Sequence, residues 1–139
     1  MAQDLDRFIA AQATTYDGAL AELRRGRKTS HWMWFVFPQI AGLGRSDTAR
    51  FYAIRDAGEA GAYRAHPVLG PRLIAATEAV IAAPGDAATI LGPVDAIKLR
   101  SSMTLFTMVS DTSAPFITAL DRFFDGERDE ATLALLDRR

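Results

Sequence analysis

Apolar residues along this chain recur at spacings of three and four, and nowhere do they alternate with polar residues as a half-buried strand requires. The pattern predicts an all-α fold. Leu5, Phe8 and Ile9 mark a short first helix. Thr14-Thr15-Tyr16-Asp17 has the spacing of a capping box, with Asp in place of Glu or Gln, and predicts a second helix to Arg25 that stops at Gly26. A brief element starts near Ser30, because Pro38 removes a donor and clashes with the preceding turn. Gly42-Leu43-Gly44-Arg45 reads as a turn, and Ser46 as the N-cap of a helix through Ile54. A short helix covers Gly58 to Ala65, and His66-Pro67 then breaks the chain.

Pro71 opens a helix reaching Ala82. Pro84-Gly85-Asp86 is a loop, followed by at most one helical turn to Leu91. Pro93 starts a longer helix to about Val109. Ser113 and Pro115 open another through Phe124, ended near Gly126, and Asp129 caps a last one through Leu136. The expectation is a single compact domain over residues 1–139, built of seven to nine mostly short helices.

The composition narrows the function. With 139 residues, 49% of them hydrophobic, the chain is long enough to bury a substantial core. Its net charge of −1 supplies no basic field for nucleic acid or an anionic membrane. No apolar run is long enough to span a bilayer, and the N-terminal stretch carries acids where a signal peptide needs basic residues. The chain has no Cys, which suits a reducing cytoplasm and removes thiolate metal sites. Its two His lack carboxylate or His neighbours at helical ligand spacing, so neither metal nor cofactor is expected.

Two stretches carry candidate chemistry. The first, His31 to Gln39, reads HWMWFVFPQ and holds both Trp of the chain. Polar Ser30, His31 and Gln39 flank its aromatics, and Gly44-Arg45-Ser46 follow at a predicted helix start that suits a phosphate or carboxylate. The second is Val94 to Val109. At 100° per residue, Val94, Ile97, Leu105, Met108 and Val109 share one face with Lys98, Ser101 and Ser102. Ala96, Arg100, Thr104 and Thr107 are left for solvent. On that reading Lys98 sits mid-face, as a snorkelling chain or an ion pair with Asp95 or another acid, or else as a cation or general acid kept for a ligand.

Two functions follow. In the first, Trp32, Trp34, Ser30, Gln39, Gly44, Arg45, Ser46, Ser101 and Ser102 bind a small anionic ligand, phosphorylated and nucleotide- or ADP-ribose-like. His31 and Lys98 would then carry any hydrolase or transferase chemistry. In the second, the protein is a non-catalytic interaction or structural module, and the same polar residues only fix helix packing.

Several blocks together resemble the hallmark of the DUF1810 family. They are Lys28-x-Ser30-His31-Trp32-Met33-Trp34-Phe35-x-Phe37-Pro38-Gln39, Gly42-Leu43-Gly44-x-Ser46, His66-Pro67-Val68-Leu69-Gly70, Asp95-x-x-Lys98-Leu99-x-Ser101-Ser102-Met103-Thr104-Leu105-Phe106 and Phe123-Phe124-x-Gly126-x-x-Asp129-x-x-Thr132-Leu133. The resemblance implies a small, mainly helical bacterial-type domain and brings no established activity. Some members bear a calpastatin-like label, which this apolar-rich composition does not suit. One departure is Thr14-Thr15, where the family commonly has an Asp-Pro helix start. Thr29-Ser30-His31-Trp32 with Gln39 is also faintly similar to the NADAR group of ADP-ribose-linked N-glycosidases, in too few residues to carry over catalytic roles.

Overall fold

The computed structural model describes residues 5–111 and 114–138. Within them the chain forms ten helices: α1 (Asp6–Ala13), α2 (Tyr16–Arg25), α3 (Met33–Val36), α4 (Asp47–Phe51), α5 (Ala57–Ala65), α6 (Leu69–Ala82), α7 (Ala87–Leu91), α8 (Pro93–Thr107), α9 (Phe116–Phe124) and α10 (Glu130–Asp137). The all-α expectation holds. The count exceeds seven to nine because α3, α4 and α7, each five residues or shorter, are true helical turns.

Local chemistry explains most boundaries. Gly26 adopts a left-handed φ of 79°, and the Arg27 N–H reaches back to the Glu22 carbonyl at 3.1 Å, the pairing of a Schellman stop. Ser46, Asp56, Asp86 and Asp129 cap α4, α5, α7 and α10, each accepting from a backbone N–H three residues on. Pro93 stands at the start of α8, where its missing N–H costs nothing.

Three boundaries differ from the sequence reading. Thr15 precedes α2 without a side-chain cap bond, so the Thr14–Asp17 spacing is not a working capping box. Helix α4 stops at Phe51 rather than Ile54, because Ile54 pairs in an isolated parallel bridge with Ile40. There Ala41 N–H donates to the Ile54 carbonyl at 2.7 Å, and Ile54 N–H donates to the Gln39 carbonyl at 2.8 Å. Helix α6 starts at Leu69, with His66 Nδ1 accepting from the N–H groups of Val68 and Leu69 at 3.0 and 3.2 Å. Ser113 lies outside the described residues; Pro115 stands just before α9 as expected.

Two long helices centre the packing. Helix α8 lies against α5, α7, α9 and α10, and α6 lies against α2, α5 and α9. An aromatic chain runs through the core from Phe8 to Tyr63, Phe106 and Phe116, with successive ring centroids 5.0, 5.4 and 5.8 Å apart. Tyr63 is wholly buried, and its hydroxyl donates to the Phe35 carbonyl and accepts from Gln12 Nε2. Burial pushes that phenol's pKa well up. Among the described residues no helix is long and apolar enough to cross a membrane.

Two glycines test this packing with opposite signs. A Cβ on Gly70 would stand 2.2 Å from the Arg64 carbonyl oxygen at the end of α5, whereas one on Gly61 would meet nothing within 4 Å. Gly70→Ala is expected to destabilise the protein by about 1–3 kcal/mol through overpacking. Gly61→Ala, inside α5, should stabilise it by about 0.5–1 kcal/mol through lower unfolded-chain entropy. Urea unfolding of the two variants checks both signs.

Candidate functional site

The site begins with a carboxylate. Glu22 lies on the inward side of α2 beside Ala19 and Leu23, and only 7% of it is exposed. After the Gly26 stop the chain folds back over it. Glu22 Oε1 accepts from Thr29 N–H at 2.7 Å, Ser30 N–H at 3.0 Å and the Trp32 indole Nε1 at 2.9 Å. Oε2 accepts from the Ser30 hydroxyl at 2.7 Å. Burial alone would raise this acid's pKa, but the Ser30 hydroxyl, Thr29 N–H, Trp32 indole and Ser30 N–H outweigh it. They bring it from an ordinary 4.5 down to about 2.

These bonds decide what HWMWFVFPQ becomes. Trp32 and Phe37 are 0% exposed, and Met33, Phe35, Val36 and Pro38 are buried with them. Trp32 is therefore not a ligand wall: the carboxylate satisfies its indole N–H inside the core. Ser30 is likewise spent on Glu22. Trp34 and Gln39 remain half-buried at the surface, and His31 is exposed.

A chain of charges links this segment to α8. Lys28 Nζ donates to the Ser30 carbonyl at 2.5 Å, lies 2.9 Å from Asp95 Oδ2, and stands 5.1 Å from the Trp32 ring centroid. Lys98 Nζ lies 3.3 Å from Asp95 Oδ1 and 5.1 Å from the Trp34 ring centroid. The ion pair of Lys98 with Asp95, one of the roles read for this lysine, is thus present. The mid-face placement is not. Val94 and Ile97 are 66% and 68% exposed, whereas Ala96 and Thr104 are buried. The single face holds only in part: Leu105, Ser101 and Ser102 are buried as read, but other helices surround the C-terminal half of α8, so Ser101 to Phe106 are buried all round. Lys98 sits on the exposed N-terminal half, its side chain one quarter accessible.

Beside Lys98 an open cleft of about 380 Å³ runs between the glycine turn, α8 and the start of α10. Lys98, Gln39 and Asp129 line it with polar groups, and Leu43, Val94 and Ile97 with apolar surface. Ser101 and Gly44 also touch it. Ser101 is only 3% exposed, and its hydroxyl lies 2.9 Å from Asp129 Oδ2 and 3.3 Å from the Ile97 carbonyl. Asp129 Oδ2 also receives the hydroxyl and N–H of Thr132, while its own N–H donates to Thr104 Oγ1 at 2.9 Å. This network, with Arg100 donating to the carbonyls of Glu127 and Arg128, fastens the entry of α10 to α8.

The remaining sequence candidates fall elsewhere. Ser102 is wholly buried, its hydroxyl making no hydrogen bond among the described residues, so it does not reach the cleft. Ser46 Oγ accepts from Ala49 N–H at 3.1 Å as the cap of α4. Gly44 is small for packing: a Cβ there would lie 2.5 Å from Ala49 Cβ. Arg45, Ser46 and His31 are exposed and do not line the cleft. Of the expected site, the fold gathers Lys98, Gln39, Gly44 and Ser101, with Trp34 beside them.

The family model for DUF1810, described as a protein of unknown function, matches residues 2–136. The chain belongs to the DUF1810 family. It is similar over 96% of both chains to the solved structure of the conserved hypothetical protein Rv1873 from Mycobacterium tuberculosis, with 47% identity and a TM-score of 0.94. No curated protein matches. What sequence reasoning missed in this DUF1810 chain is Glu22. The available signal was an acid in the buried stripe of α2, flanked by Ala19 and Leu23.

Glu22 makes a pH prediction. Its folded pKa is depressed, so its contribution is complete above about 4.5 and is lost as pH falls toward about 2. The size is roughly 3 kcal/mol at neutral pH. Glu22→Gln should therefore lower the urea midpoint at pH 7 and flatten the loss of stability of the wild type between pH 5 and pH 2.5. Parallel unfolding curves across that range would contradict it.

Proposed function

We propose that this protein binds a small anionic ligand in the cleft beside Lys98, with a phosphoryl or carboxylate group at the ammonium and a less polar part against Leu43, Val94 and Ile97. One observation carries the reading. Lys98 lines the cleft while its ammonium has, among the described residues, a single ion-pair partner at 3.3 Å, and that partner, Asp95, is shared with Lys28. Two cations share that one carboxylate, so the Lys98 ammonium keeps donor capacity to spare at the rim. The half-buried Trp34 ring beside Lys98 and the cleft volume suit a nucleotide-, ADP-ribose- or sugar-phosphate-sized molecule.

Two observations favour binding without turnover. Ser101 commits its proton to Asp129 and the Ile97 carbonyl, and the His31 side chain lies away from the cleft lining. The net charge of −1 argues for a small partner rather than nucleic acid, and the absence of Cys for a cytoplasmic setting. The second reading, a protein-interaction module, draws on Val94 and Ile97, two apolar side chains about two-thirds exposed on one helix.

Thermal-shift measurements with nucleotides, ADP-ribose and sugar phosphates at millimolar concentration separate the two. Ligand binding predicts a rise of roughly 2–5 °C for at least one of them, removed in Lys98→Met. An unchanged melting temperature across the panel would leave the interaction reading in its place.

A further inference from the structure

The lining of the cleft carries both signs of charge. Lys98 and Asp129 both face it, so a simple anion that fills it meets a carboxylate as well as an ammonium. The Asp129 carboxylate is unevenly used. Its bonds from Ser101 Oγ, Thr132 Oγ1 and Thr132 N–H all fall on Oδ2, and Oδ1 accepts none among the described residues. A ligand that satisfies this cleft therefore brings an anionic group for Lys98 and hydrogen-bond donors for Asp129 Oδ1.

Hydroxyl groups meet that demand better than an ammonium. Three donors already share the charge of Asp129, which weakens its pull on a full cation but leaves lone pairs for neutral O–H donors. Gln39, on the same lining, adds an amide that both donates and accepts, the pairing a row of hydroxyls needs. Leu43, Val94 and Ile97 offer apolar surface to the C–H face of a sugar ring. We infer that the cleft is selective for a sugar phosphate, with Lys98 taking the phosphate and Asp129 Oδ1, together with Gln39, reading the sugar hydroxyls. This rests on the reading of the cleft as an anion-binding site.

The test uses ribose 5-phosphate, propyl phosphate and O-phosphoethanolamine, titrated calorimetrically into the wild type, Asp129→Asn and Lys98→Met. Asn can still cap α10 through its carbonyl oxygen, while its NH₂ replaces the unspent acceptor with a donor. Melting temperature and circular dichroism verify that this variant stays folded. The wild type should bind ribose 5-phosphate at least about tenfold more tightly than propyl phosphate. Asp129→Asn should erase that preference while keeping propyl phosphate binding, and Lys98→Met should weaken both. Equal binding of the two phosphates, or a preference that survives in folded Asp129→Asn, overturns the sugar inference and leaves the anion site standing. Tighter binding of O-phosphoethanolamine also overturns it, by assigning the donor to an ammonium. Absence of binding by all three phosphates overturns the inference together with the anion site at Lys98.

Discussion

A single buried carboxylate sets the course of the chain between α2 and α3. Glu22 receives four hydrogen bonds from three residues within the next ten positions, and each of those residues takes its place from that bond. Burying a charge of this kind is costly unless its oxygens are fully engaged, and here they are. The arrangement turns Trp32 inward and holds Thr29 and Ser30 against α2. Lys28 is thereby placed where its ammonium meets both the Ser30 carbonyl and Asp95. Through Asp95 the same chain of contacts reaches Lys98, joining the turn after α2 to the cation at the rim of the cleft.

Helix α8 performs two tasks along its length. Its C-terminal half is core on all sides, and its polar residues there serve the architecture: Thr104 receives the Asp129 N–H, and Ser101 binds the Asp129 carboxylate. Its N-terminal half projects Val94, Ile97 and Lys98 toward the cleft. The boundary between the two halves falls near Ser101, which is why that residue touches the cleft while remaining buried. Asp129 shares this double character, since one oxygen ties α10 in place and the other accepts no bond among the described residues.

What was legible in the sequence was local. Gly26, Pro93 and Asp129 mark helix ends because stops, first-turn prolines and caps are settled by neighbours three or four residues away. The helical class followed from apolar spacing, and the family from motifs that span the chain. Partnerships at longer range were hidden. Nothing near Trp32 announces that its indole will find Glu22 ten positions earlier, and so an aromatic that looked like a binding wall is core. The faces of α8 were read only in part for a related reason: a helical wheel presumes one solvent side, and a helix enclosed over half its length has none there. Ser46 combined both lessons. Its place at a helix start was readable, yet the residue caps α4 away from the lining of the cleft.

The most direct test of the Glu22 account is the indole N–H resonance of Trp32, followed by ¹H–¹⁵N NMR in Trp34→Phe, where it is the one indole signal. A buried indole donating to an ionised carboxylate should exchange slowly with solvent and hold its chemical shift from neutral pH down through 4.5, moving only as pH nears 2. Rapid exchange at neutral pH, or a shift that titrates with a midpoint near 4.5 while the protein stays folded, would contradict it.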